Sequence, residues 1–118
     1  MGRYKAPLTV DLRFAISGFH GYINDHSMLL STLAEGKEDI ERSFMHYKRD
    51  GGLLRFNHHG IKSKVQAAGG LGLDRVAMSE RAAEYLAATY PEFVSSVYVR
   101  NAKGPSDGNT EVRLRRKV

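Results

Sequence analysis

Five histidines carry the most versatile side-chain chemistry in this 118-residue chain, because a neutral imidazole ligates metals and titrates near neutral pH. His58 and His59 are adjacent, and His20 and His26 lie six apart among turn-forming residues. Neither spacing supplies converging ligands: the sequence has no H-E-x-x-H and no His-x-Asp pair. With no cysteine, thiolate ligands, thiolate nucleophiles and disulfides are excluded as well. The expectation is therefore of turn and surface histidines bonded locally, with neither metal nor cofactor.

His20, Asp25, His26 and His58, joined by Ser17 or Ser27, contain the ingredients of an acid-base or nucleophilic set. Such sets are defined by geometry, and the two serines have plainer roles as turn former and helix cap. Gly69-Gly70-Leu71-Gly72 is not followed by the Lys-Ser/Thr of a phosphate loop, so it reads as a linker before a helix. Catalysis is not expected, and a small hydrolase-type enzyme built on these histidines ranks third among the readings.

The basic residues are placed more tellingly. A net charge of +5 points to a polyanion or an acidic protein surface as partner. If the last segment is a strand, Arg113, Arg115 and Lys117 share one face and Arg116 takes the other, opposite a strand carrying Arg100 and a tip carrying Lys103. One end of that hairpin is then strongly positive, suited to phosphates or to an acidic surface. The same pattern also fits an edge strand kept soluble by its charges. Phe93 and Tyr98 fall on opposite faces of their strand by simple alternation, so no stacking platform for bases is expected.

The elements that must position these residues follow from periodicity. Leu8, Val10, Leu12, Phe14 and Ile16 alternate with Thr9, Asp11, Arg13 and Ala15, which predicts a strand over 8–16. Asn24-Asp25-His26-Ser27 precedes an apolar run, predicting a short helix that begins near Ser27 and stops before Gly36. Over 37–49, Ile40, Phe44 and Tyr47 recur at helical spacing. Acidic residues lie in the first turn, Lys48-Arg49 in the last, and Asp50-Gly51-Gly52 after it.

Leu53–Asn57 reads as a short strand and Ile61–Ala68 as a short helical stretch. Val76, Ala77, Ala83, Leu86, Ala87 and Tyr90 then define a long helix over 73–90, stopped by Pro91. Phe93–Arg100 and Thr110–Arg116 are rich in β-branched residues and form a C-terminal hairpin around a glycine-containing tip, 101–109, expected to be mobile like the arm 1–6.

One α+β domain over 1–118 is expected: a small, mostly antiparallel sheet, one long helix packed on a face, two shorter helices and the hairpin. At 42% hydrophobic and 26% charged residues the composition is that of a folding chain. Asp11 and Arg13 interrupt the apolar positions after the basic N-terminus, so no signal-peptide core is expected. No run approaches the roughly 18 apolar residues of a membrane span, and a soluble chain without a membrane partner is expected.

Leu54-Arg55-Phe56-Asn57-His58-His59-Gly60-Ile61, a glycine stretch, the helix with Arg81-Ala82-Ala83 and Leu86-Ala87-Ala88, and the strands Val97-Tyr98-Val99 and Glu111-Val112-Arg113-Leu114 follow one another over residues 53–117. In that order of elements the segment resembles the small neck proteins of tailed bacteriophages, the head-tail connector and tail-completion proteins. The first fifty residues lack the pattern. The resemblance implies a non-enzymatic virion protein, assembled in the host cytoplasm as a homo-oligomeric ring between capsid and tail and contacting neighbouring virion proteins. Arg100, Lys103, Arg113, Arg115, Arg116 and Lys117 are then the candidate interface or polyanion-binding residues. The alternative is a small basic accessory protein that binds DNA or RNA through the same hairpin.

Overall fold

A computed structural model describes residues 6–14, 20–22, 33–60, 75–101 and 108–115. In chain order these form β1 (Leu8–Thr9), α1 (Glu38–Asp50), β2 (Arg55–Phe56), α2 (Arg75–Thr89), β3 (Val94–Val99) and β4 (Thr110–Leu114). Contacts divide the chain into two compact units, Met1–Ser31 with Asp39–Lys62 and Thr32–Glu38 with Ser63–Val118. Helices and antiparallel strands together make this an α+β chain. The finer architecture departs from expectation. Among the described residues there are two helices, of 13 and 15 residues, in place of one long and two short. Two separate two-stranded ladders, β1-β2 and β3-β4, replace the single sheet.

In the first unit, β1 pairs antiparallel with β2, Leu8 facing Phe56 and Thr9 facing Arg55. The ladder is extended by Asn57 N–H to Pro7 C=O at 2.8 Å and by Leu53 N–H to Val10 C=O at 3.0 Å. Buried Asn57 closes its end, donating from Nδ2 to Ala6 C=O at 3.1 Å and to Thr9 Oγ1 at 3.3 Å. The strand expected over 8–16 is thus two residues long, and the chain bends at Asp11-Leu12. There the Arg13 guanidinium donates to Asp11 at 2.9 Å, a contact between side chains two apart, which in a flat strand would point the same way but lie well separated. Alternation reports which face a residue takes if a ladder exists; it does not supply the second strand.

α1 begins one residue later than the expected 37–49 and ends one later. Asp39 accepts the Ile40 N–H at 2.8 Å and its C=O accepts the Ser43 hydroxyl at 2.8 Å. At the other end Gly51 adopts φ 73° and donates to Tyr47 C=O at 2.7 Å, the left-handed stop that glycine tolerates best. Phe44 is fully buried as the spacing requires, while Ile40 and Tyr47 are half-buried and Glu41 and Ser43 join the buried side.

His46, on α1, stacks at a tilt against Tyr22, ring centroids 5.5 Å apart. Burial holds its pKa below the ordinary 6.5, helped by the Arg49 charge and by His20 and opposed by Asp50. An imidazole harder to protonate in the folded chain than in the unfolded one supports stability that is complete above pH 6.5 and lost as pH falls toward the lower folded value. The urea midpoint is expected to drop from neutral into mildly acid buffer, and His46→Gln to flatten that slope. An unchanged slope in the variant would show that His46 does not control it.

Of the helix expected to begin near Ser27 and stop before Gly36, residues 27–32 lie outside the described residues, as do the helical stretch 61–68 and residues 1–5 of the arm 1–6. Residues 33–36 are not helical. Lys37 N–H closes a turn onto Ala34 C=O at 2.8 Å, with Gly36 at φ 84° in its third position.

In the second unit α2 lies against β3 and β4. Its described span matches the expected 73–90 helix closely, and Tyr90 N–H still reaches Leu86 C=O at 2.9 Å before Pro91 stops it. The buried face is Ser79, Ala82, Ala83 and Leu86, followed by Tyr90, and together with Phe93, Val94 and Val112 it makes the core of this unit. The alanine-rich face packs on the strands as expected, but the stripe is rotated: Val76 and Ala77 are exposed, and Ala87 is half-buried. The reason is Ser79. Its hydroxyl accepts the Thr110 N–H at 2.9 Å and donates to Val76 C=O at 2.8 Å, so a polar side chain takes an inner position to satisfy β4. No helix among the described residues is long and apolar enough to cross a membrane.

Candidate functional site

The C-terminal hairpin is the most chemically distinctive part of the described structure. Antiparallel pairs run Ser96-Arg113, Val97-Val112, Tyr98-Glu111 and Val99-Thr110, with a register shift between Val94, which faces Leu114, and Ser96. Ser95 is the extra residue of that bulge, and its hydroxyl donates to Arg113 C=O at 3.1 Å. At the other end Gly108 N–H reaches Arg100 C=O at 2.9 Å while Arg100 N–H reaches Asn109 C=O at 2.7 Å. With Gly108 at φ 83°, this is a glycine bulge that twists the ribbon into its tip.

These bonds fix the orientation of the whole backbone of β3. Arg100 is hydrogen-bonded toward β4, so by alternation Tyr98 and Ser96 are too, and the N–H and C=O groups of Val97 and Val99 face away from β4. The outer edge of β4 is treated differently, because Ser79 of α2 takes its Thr110 N–H. Among the described residues the open edge is therefore that of β3, where the sequence pattern had pointed to the basic last strand. Val94 is buried, but residues 95–99 are all exposed, with Val97, Tyr98 and Val99 at 41%, 39% and 66%.

Around this edge the candidate basic residues are distributed as follows. Arg113 is exposed and its guanidinium sits 4.5 Å from the centre of the Tyr98 ring, a cation-π contact across the ribbon. Exposed Arg115 donates from Nε to Pro91 C=O at 2.7 Å, and its N–H bonds Phe93 C=O at 2.8 Å, so the hydrogen bonding between the two strands runs one residue past the end of β4 at Leu114. Arg100 is exposed at the tip end, far along the ribbon from Arg113 and Arg115. The charge among the described residues thus runs along the hairpin and is not gathered at one end. Lys103, Arg116 and Lys117 lie outside the described residues, as does most of the tip 101–109.

Compared with models of protein families, with curated proteins and with solved structures, the chain matches none.

On the side of Tyr98 and Arg113, Glu111 is bonded to Lys37, Nζ to Oε2 at 2.8 Å, with only 7% of the lysine side chain and 20% of the glutamate exposed. This nearly dry ion pair ties the segment 33–38 to the hairpin. It was invisible in the sequence, where Lys37 reads only as the start of a helix. His20, His58 and His59 are exposed, with His59 edge-on to Phe56 at 6.3 Å, and Asp25 and His26 lie outside the described residues. Asp11 is the other group with a displaced pKa, held below the ordinary carboxylate range chiefly by its hydrogen bond from Arg13. That pair is solvent-exposed, and it does no more than stabilise the bend.

Proposed function

We propose that this chain is a non-catalytic assembly protein that docks other macromolecules through its C-terminal hairpin. The observation that carries this reading is β3: five consecutive exposed residues, 95–99, on a strand whose outward N–H and C=O groups face away from β4. An open edge of this kind is a template for another strand, which gives affinity through main-chain bonds without any pocket. The narrower reading, a homo-oligomeric ring subunit at a bacteriophage head-tail junction with neighbouring virion proteins as partners, rests on the resemblance of residues 53–117. Arg113 and Arg115, exposed beside that edge, suit an acidic surface on a neighbour.

Reversing both charges, Arg113→Glu with Arg115→Glu, is expected to leave a folded chain that no longer forms species larger than a pair of copies in sedimentation velocity. Unimpaired assembly would remove these arginines from the interface. The rival reading, a nucleic-acid-binding accessory protein, is separated by binding of labelled single- and double-stranded DNA and RNA at about 50 and 200 mM salt, where phosphate-driven affinity changes most. Binding that is absent, or confined to low salt, is expected; tight binding at the higher salt would favour the rival.

A further inference from the structure

Resting on the reading of the hairpin as a docking element, we infer that the strand taken up by the β3 edge is β3 of a second copy of this chain, paired antiparallel about a twofold axis. Two observations carry this.

The first is composition. Val94-Ser95-Ser96-Val97-Tyr98-Val99 contains no charge and no proline, two of the devices by which strand edges are kept single, and it is built of residues that favour strand pairing. Its bulge lies at the beginning, at Ser95, and leaves 96–99 regular.

The second is the direction of the hydrogen-bonding groups. Val97 and Val99 present donor and acceptor outward two residues apart, so two such edges in antiparallel register can exchange bonds with each other. With Tyr98 facing its own copy, Val97 of one chain faces Val99 of the other and the two exchange both bonds. The exposed Val97 and Val99 side chains, on the same face of the ribbon as the buried Val112, then cover their counterparts.

The product is a four-stranded sheet, β4-β3-β3-β4. Such an isologous contact closes at two copies, so a ring needs a second, head-to-tail contact, for which Arg113 and Arg115 remain available.

The experiment is sedimentation equilibrium of the full chain and two edge variants. Val99→Pro removes an outward N–H that β4 does not use, and Val97→Lys places a charge against Val99 of the second copy. Wild type is expected to reach at least twice the 13.2 kDa chain mass with rising concentration. Both variants are expected to stay monomeric with an unchanged far-ultraviolet spectrum, their dissociation constant raised at least about tenfold, equivalent to 1.4 kcal/mol. Should Val99→Pro unfold, Val97→Lys alone decides.

A wild-type chain that stays monomeric, or a folded Val97→Lys chain that pairs as tightly as wild type, would overturn the self-pairing. The charge-reversed Arg113→Glu, Arg115→Glu chain keeps the two questions apart. It is expected to retain the pair and lose only larger species. If wild type never pairs yet this variant still loses larger species, self-pairing fails while hairpin docking stands.

Discussion

Leu86→Ala is expected to destabilise the second unit by about 3 kcal/mol, within the 2–5 kcal/mol that buried leucine truncations cost. Leu86 is fully buried on the face that α2 turns to β3 and β4. Within α2 its neighbours on that face are Ala82, Ala83 and Ser79, none of which has a side chain long enough to fill the space left behind. The cavity term therefore adds to the lost transfer energy. For a chain of this length the melting temperature should fall by roughly 10 °C. Leu86→Met conserves the volume and should cost less than about 1.5 kcal/mol. A loss in Leu86→Ala no larger than that of the methionine variant would mean that the helix does not seal this core. Because the ribbon has only two strands and α2 is its backing, the same truncation is expected to weaken docking as a secondary effect.

Glu111→Ala is expected to cost about 2–4 kcal/mol, toward the lower part of the range for breaking a buried pair because a fifth of the glutamate side chain meets solvent. The loss arises mainly from what remains. Lys37 is 6% exposed, and without the carboxylate its ammonium sits in a dry site with its charge uncompensated. Replacing both residues by apolar ones, Lys37→Met with Glu111→Leu, is expected to recover most of the stability and to complete a double-mutant cycle with a coupling above about 1 kcal/mol. Denaturant midpoints measured at low and high salt supply a further check, since a pair this sheltered should be little weakened by added salt, unlike a surface pair. A cost of a few tenths of a kcal/mol would place the pair in solvent.

Both helices with their stop signals, and the hairpin, were legible because each rests on local chemistry. The 3.6-residue recurrence of Phe44 with Ile40 and Tyr47, the left-handed stop at Gly51 and the block at Pro91 need nothing from the rest of the chain. What was not legible depends on partners distant in sequence. The alternation from Leu8 to Ile16 is an intact strand pattern, yet the strand stops at Thr9, and Leu8 and Val10 remain exposed. Ser79 reads as a polar interruption of the α2 stripe, and only its bond to Thr110, 31 residues away, explains why it is buried.

The hairpin shows the same division at finer scale. Counting by twos puts Val94 with Ser96 and Tyr98 on one face. The bulge at Ser95 moves Val94 to the face of Val97 and Val99, where it is buried. One inserted residue, with no signature in its type, thus reassigns a face. Arg100, Arg113 and Arg115 were found from charge alone, but the open β3 edge beside them was not, because openness is set by which strand α2 caps. The pattern of basic residues had suggested that the last strand was the edge; Ser79 shows that α2 serves that strand and leaves its neighbour open.

That open edge can be examined amide by amide. Hydrogen exchange followed by NMR, in dilute and in concentrated solution, reads each N–H of β3 separately. In the dilute chain Ser96 and Tyr98 should be protected by their bonds to β4, and Val97 and Val99 should exchange fast. At high concentration Val97 and Val99 should become protected as well, with Ser96 and Tyr98 unchanged in rank. Val97 and Val99 amides already protected in the dilute chain, or exchanging fast at every concentration, would contradict docking through the β3 edge.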